Sequence, residues 1–204
     1  YYIMQQSYDY IIIGAGSAGC VLANRLSADG KNTVLLLEAG PADKNKNIKI
    51  PAAFPKMFHS EVDYGYHTSA QSTMQNRKLY LPRGKMLGGC SSINAMIYIR
   101  GNKQDYKEWS DLGNPGWSYE EVLPYFKKSE NHEFINNEFH SKGGMLNVTR
   151  RNYTNPMSEA FVKAGQELGY DQNDDFNGAN QEGFGLYQVT HIKGERCSAA
   201  RAFL

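Results

Sequence analysis

Between Tyr10 and Leu37 apolar residues come in two unbroken runs, Tyr10–Ile13 and Val34–Leu37, separated by a stretch where Ala18, Val21, Leu22 and Leu26 recur at helical spacing. Short apolar runs without alternation mark parallel strands covered on both faces, and a period near 3.6 marks a helix laying one face on them. The segment therefore predicts a βαβ unit with a right-handed crossover, its helix closed by Asp29-Gly30. Farther on, "NAMIYIRG" and "LYQVTHI" are strand-like. Ser118 and Glu121 form a capping box that opens a helix with a kink at Pro124. Asn155-Pro156 opens another, with Ala160, Phe161, Ala164 and Leu168 on one face and Gly169 as its stop. Two prolines in "IPAAFPKMF" argue against regular structure, and "DDFNGANQEGFG" reads as a loop. No internal repeat or low-complexity tract interrupts the chain.

Gly14, Gly16 and Gly19 form G-x-G-x-x-G directly after the first strand and at the start of the helix. In a dinucleotide site Gly14 permits the tight turn, Gly16 lets the backbone approach a pyrophosphate, and Gly19 lets the helix press on the strand. The helix N-terminus near Ser17 and Ala18 then faces the anion with unbonded N–H groups and its positive dipole end. Glu38 ends the second strand, where a carboxylate accepts hydrogen bonds from an adenosine ribose; an acid there disfavours a 2′-phosphate. The competing reading is a bare βα turn. The motif leaves NAD and FAD open, because both present the same ADP half.

With 22 Lys and Arg against 21 Asp and Glu, the 204-residue chain has no basic field for nucleic acid and no acidic tail. No apolar run approaches the roughly 20 residues that cross a bilayer. The start, "YYIMQQSYDY", lacks the pattern of a secretory signal. Three scattered cysteines, Cys20, Cys90 and Cys197, favour free thiols in a reducing, cytoplasmic setting. Asn147 and Asn152 head glycosylation patterns that arise easily by chance. His59, His67, His132, His140 and His191 lack metal-ligand spacing, so no metal is expected. Tyr64, Tyr66, Trp109 and Trp117 read as packing aromatics.

The stretch "PRGKMLGGCSSINAMIYIRG" resembles the first signature of the glucose-methanol-choline (GMC) oxidoreductases, FAD-dependent enzymes acting mostly on alcohols. The likeness continues through "LLLEAGP", "DYGYHTSAQ", "DYKEWSDLGNPGWSYEEVLPYFKKSE" and "EGFGLYQVTHIKGERCSAARAFL", and is strongest to bacterial choline and aliphatic alcohol dehydrogenases. It implies an α/β fold: a Rossmann-like FAD-binding βαβ domain over 8–150, with a flavin-contacting excursion, and the start of an α+β substrate-binding domain over 151–204. Implied cofactor contacts are Gly14, Gly16, Ser17, Ala18, Gly19, Glu38 and Ala39, then Arg83, Gly84, Leu87, Gly88, Gly89 and Ser91, and the run Asn94, Ala95, Met96 and Ile97 along the flavin ring. Arg83 and Lys85 read equally as surface charges, Ser91 and Ser92 as caps of a local turn, and Cys90 as a small buried residue. Some members attach FAD through a histidine where this chain has Ile93, so the resemblance implies non-covalent FAD.

The resemblance further implies that an alcohol hydroxyl loses its proton to a histidine while its carbon passes hydride to flavin N5, with a quinone or other carrier as electron acceptor. The family's catalytic histidine lies toward the C-terminus, beyond Leu204, so no catalytic residue is assigned. The chain reads as an N-terminal portion whose remainder comes from a missing segment or a second chain; alone it is expected to be inactive, with an exposed sheet edge. An oxidase, a non-redox lyase on the same scaffold, and a non-catalytic FAD-binding subunit are the alternatives. Placement is cytoplasmic, with peripheral association at the inner membrane as the variant.

Overall fold

The computed structural model describes residues 7–204; the stretch expected to lack a secretory signal lies mostly outside them. The chain divides into two compact units, one reaching through Ala95 and resuming at Glu195–Leu204, the other comprising Met96–Gly194. These divisions fall at 95/96 and 194/195.

The first unit opens with the βαβ motif. β1 (Tyr10–Ile13) pairs in parallel with β2 (Val34–Leu37), Tyr10 opposite Val34 and Ile13 opposite Leu37, and α1 (Ser17–Ser27) makes the crossover. Asp9 ties the strand starts by accepting from the Thr33 backbone N–H at 2.7 Å and its hydroxyl at 2.8 Å. Gly30, at φ +69°, follows the helix and donates to Ser27 O. Two expectations need correction. The helix buries its small residues, Gly19, Cys20 and Ala23, whereas Leu22 is half exposed. Small side chains bring the helix axis closer to the strands than leucines would. The strands are not covered on both faces either: Ile11 is 58% and Ile13 87% exposed, and no third strand joins this sheet among the described residues.

Next come α2 (Lys46–Lys49), capped by Asn45, and a 3₁₀ turn over Pro51–Met57, where irregular backbone was expected. Pro51 stands in the first turn, which needs no N–H from it. Ile48, Met57, Val62, Met86 and Ile93 form a buried cluster, with Phe54 and Phe58 against it. A hairpin follows, β3 (Tyr66–His67) antiparallel to β4 (Tyr80–Leu81). Asp63 organises its base, accepting from the backbone N–H groups of His59, Gly65 and Arg83 and from the Tyr80 hydroxyl. Burial pushes this carboxyl up, but those donors outweigh it and hold its pKa at about 2.

In the second unit β5 (Ile97–Tyr98) is followed by α3 (Lys103–Asp111) and α4 (Tyr119–Ser129). Asn102 and Asp105 cap α3; Ser118 and Glu121 cap α4, which continues through Pro124. β6 (Glu130–His132) and β7 (Leu146–Val148) pair in parallel, α5 (Pro156–Glu167) starts at Asn155, and β8 (Gln188–Val189) pairs antiparallel with β5 before β9 (His191–Ile192). The predicted apolar face of α5 is exposed, Phe161 at 68% and Leu168 at 79%; the helix meets the unit through Gly165, where an added Cβ would lie 2.4 Å from the Phe184 ring. Asn147 is buried and donates to His191 O, which removes it as a glycosylation acceptor in the folded chain. Trp109 and Trp117 contact each other edge to face but stay half exposed.

The chain then returns to the first unit through β10 (Glu195–Arg196) and α6 (Ala199–Phe203), which packs on α1; Asn24 donates to Phe203 O at 2.8 Å. No helix among the described residues is long and apolar enough to cross a membrane.

Candidate functional site

The three fingerprint glycines adopt distinct local roles. Gly14 takes φ +95°, a conformation that favours glycine, and its N–H bonds Leu37 O, holding the turn on β2. A Cβ on Gly19 would lie 1.9 Å from Gly14 O, so only glycine permits this approach of helix to turn. Gly16 caps α1 without a side-chain hydrogen bond, and a Cβ built there would meet nothing within 4 Å. The helix thus begins in open space, with no acidic residue in its first turn and exposed Ser17 and Ala18 behind the cap. Exposed N–H groups at the positive end of an 11-residue helix suit an anion.

Glu38 sits at the end of β2 and bridges the turn. Its Oε2 accepts from Ala15 N at 2.8 Å and its Oε1 from Gly40 N at 3.0 Å, which leaves a lone-pair direction on each oxygen for a further donor. Neighbouring Ala39 is exposed.

The second glycine cluster lies on the first. Gly88 N donates to Ala15 O at 2.7 Å and Leu87 N to Pro41 O at 3.1 Å. A Cβ on Gly89 would stand 2.8 Å from Gly16 Cα; one on Gly84 would strike Gly89 O, and one on Gly40 would strike Lys85 O. Segments 14–19, 38–41 and 84–89 are therefore laced backbone to backbone, and the doublet's missing side chains first admit neighbouring protein. A Cβ on Gly88 would lie 2.2 Å from Ser92 Oγ. Ser91 donates from Oγ to Gly88 O at 2.5 Å and accepts from Ala199 N at 2.8 Å, the capping use of such a serine.

The remaining predicted contacts divide. Asn94 and Ala95 are exposed in the first unit, whereas Met96, buried at φ +62°, and Ile97 of β5 belong to the second. Arg83 is exposed and donates to Pro82 O; Lys85 places its ammonium 5.7 Å from the Tyr64 ring centre. Cys90 is exposed, correcting the expectation of a small buried residue, while Cys20 and Cys197 are buried, and none of the three forms a disulfide among the described residues. Ile93 is buried in the apolar cluster.

One polar cluster escaped sequence reasoning. In the second unit His140 is fully buried, Nδ1 2.9 Å from Glu130 Oε1 and Nε2 3.0 Å from Asp175 Oδ2, with Arg100 3.3 Å from Glu130. Burial favours neutral His140, but the two carboxylates outweigh it and raise its pKa; burial likewise opposes ionised Glu130 and Asp175, and the His140 hydrogen bonds outweigh it and lower both. His132, beside it, is lowered chiefly by burial. Glu130, His132 and His140 bring ligand atoms within 4.8 Å of one another, a proximity that spacing along the sequence does not show. Their hydrogen bonds commit them otherwise: His140 uses both nitrogens, and His132 Nδ1 accepts from Phe134 N and Ile135 N. A long-range cluster of this kind leaves no local pattern to read.

Residues 8–204 match the family model described as GMC oxidoreductase. The chain is 50% identical over 199 residues to an alcohol dehydrogenase [acceptor] of Pseudomonas putida, covering 97% of this chain and 36% of that protein. It is 46% identical over 197 residues to an oxygen-dependent choline dehydrogenase of Rhizobium etli (strain CIAT 652), covering 96% and 36%. Among solved structures, pyridoxine 4-oxidase from "Mesorbium loti" superposes with a TM-score of 0.91 at 35% identity, covering 97% of this chain and 39% of that one. The chain thus spans little more than a third of the length of these relatives, and over that span it shares their fold. With glycine turn, carboxylate and glycine doublet laced together in the same stretch, the chain belongs to the GMC oxidoreductase family.

Proposed function

We propose that the first unit carries the ADP-binding part of an FAD site in an enzyme that oxidises an alcohol CH–OH group, choline or an aliphatic primary alcohol, and passes the electrons to a quinone or similar carrier. One observation carries the reading: the open, uncapped start of α1 at Gly16 lies against Gly89 and one residue from the Ala15–Glu38 bond. That arrangement supports reading the helix end as an anion site and Glu38 as a ribose acceptor, beside the segment that resembles a flavin-contacting signature. The pyrophosphate would take the N–H groups of Ser17 and Ala18, and the adenosine ribose would take Glu38, while Gly88, Gly89, Ser91 and Asn94 would border the flavin. When bound, flavin supplies an acceptor for the hydride of the alcohol carbon. The chain's own residues hold its charged end and exclude side chains from its path.

The buried hydrocarbon side chain of Ile93 supports non-covalent attachment, since it offers no nucleophile. The likeness to the alcohol and choline dehydrogenases supports the alcohol substrate, and that to pyridoxine 4-oxidase supports an oxidase as the second reading. The test is anaerobic titration of the full-length protein with choline, alkanols, aryl alcohols and sugars. Bleaching of a flavin spectrum by choline or alkanols is expected; a colourless protein, or flavin untouched by every alcohol, contradicts the proposal. Rapid reoxidation by air would favour the oxidase.

A further inference from the structure

Arg196, 2% exposed, heads the fully buried side chains by volume. Its Nε donates to Ile48 O at 2.9 Å, and one terminal nitrogen donates to Ser91 O at 3.0 Å and Asn94 Oδ1 at 2.9 Å. The other terminal nitrogen is buried without a hydrogen-bond partner, and among the described residues no carboxylate forms an ion pair with this guanidinium. Burial lowers its pKa only to about 10, so it stays charged at neutral pH. A buried charge without counter-charge is among the costliest arrangements in a protein interior, and it persists where something else supplies the opposite sign.

The location suggests what that is. Ser91 and Asn94 follow the glycine doublet, Ser91 is bonded to Gly88, and Gly89 abuts the start of α1. A guanidinium only donates, so it fixes the Asn94 amide with its oxygen inward and its nitrogen turned away. We propose that Arg196 is a positioning residue of the coenzyme site, anchoring the 88–94 turn to Ile48, and that the anionic dinucleotide provides the counter-charge the protein lacks. The inference rests on the flavin reading above and assigns the arginine of "GERCSAARAFL" to it. Attraction across a low-dielectric interior couples the two charges without contact.

The test uses deflavinated full-length protein, with FAD affinity by fluorescence titration and melting of apo and FAD-loaded forms. Arg196→Met should weaken FAD binding at least tenfold and shrink the FAD-induced rise in Tm. Arg196→Lys, which keeps the charge, should restore most of both. Should the methionine variant not fold, Arg196→Gln takes its place under the same threshold. Variants that bind FAD as the wild type does, whatever their apo Tm, overturn the inference, as do lysine and methionine variants weakened alike. A wild-type protein that takes up no FAD overturns the flavin reading and this inference with it, which separates the two failures.

Discussion

At Glu38 one carboxylate has two tasks, holding the backbone N–H groups of Ala15 and Gly40 and, in the proposed function, receiving the ribose. Glu38→Ala should therefore raise the FAD dissociation constant about 10- to 100-fold, the equivalent of about 1.5–3 kcal/mol for hydrogen bonds to a charged group. Calorimetric titration measures it, and an unchanged constant would remove the ribose role. Gly89→Ala asks a steric question. The new Cβ would stand 2.8 Å from Gly16 Cα at φ +52°, so overpacking and left-handed strain together should cost roughly 2–5 kcal/mol in a denaturant-unfolding experiment. The turn at Gly14, the close approach at Gly19 and the place of Glu38 after β2 were legible because they depend on local chain geometry after a strand. Arg196 was not, because its partners Ile48, Ser91 and Asn94 are distant in sequence and a lone arginine has no pattern.

The elements were legible where capping chemistry and apolar runs agree: β1, β2, the Ser118 and Asn155 helix starts, and Gly169 after α5. They were misread where burial depends on a neighbour, as with the open faces of α5 and β1. The β6 region and the loop around Asp175 meet through the Glu130–His140–Asp175 cluster, and its titration has a definite sign. His140, raised above its unfolded value of 6.5, contributes stability that is complete below that pH and lost as pH climbs through its folded pKa. His132, lowered from 6.5, contributes stability complete above that pH and lost as pH falls through its folded pKa. Glu130 and Asp175, lowered from 4.5 and 3.8, add a further loss on the acid side below those values. Thermal melting should thus peak near pH 6.5, and His140→Gln should flatten the alkaline limb and also weaken the share of the acid limb that Glu130 and Asp175 supply, since His140 helps lower both. An unchanged alkaline limb in that variant would show that His140 is not the charged partner.

For the molecule as a whole, the sheet of β1 and β2 displays Ile11, Ile13 and Leu37 to solvent. A polypeptide of these 204 residues alone should bind a hydrophobic dye and self-associate, and Ile13→Lys should reduce both. Light scattering that found a monodisperse monomer without dye binding would contradict this. In the proposed function the coenzyme's diphosphate rests on the open end of α1 within reach of the glycine doublet. An experimental structure of the full-length protein with FAD tests it most directly. Diphosphate oxygens are expected at hydrogen-bond distance from Ser17 and Ala18 N–H, and ribose hydroxyls on Glu38. Flavin bound elsewhere, with those N–H groups facing only water, would contradict it.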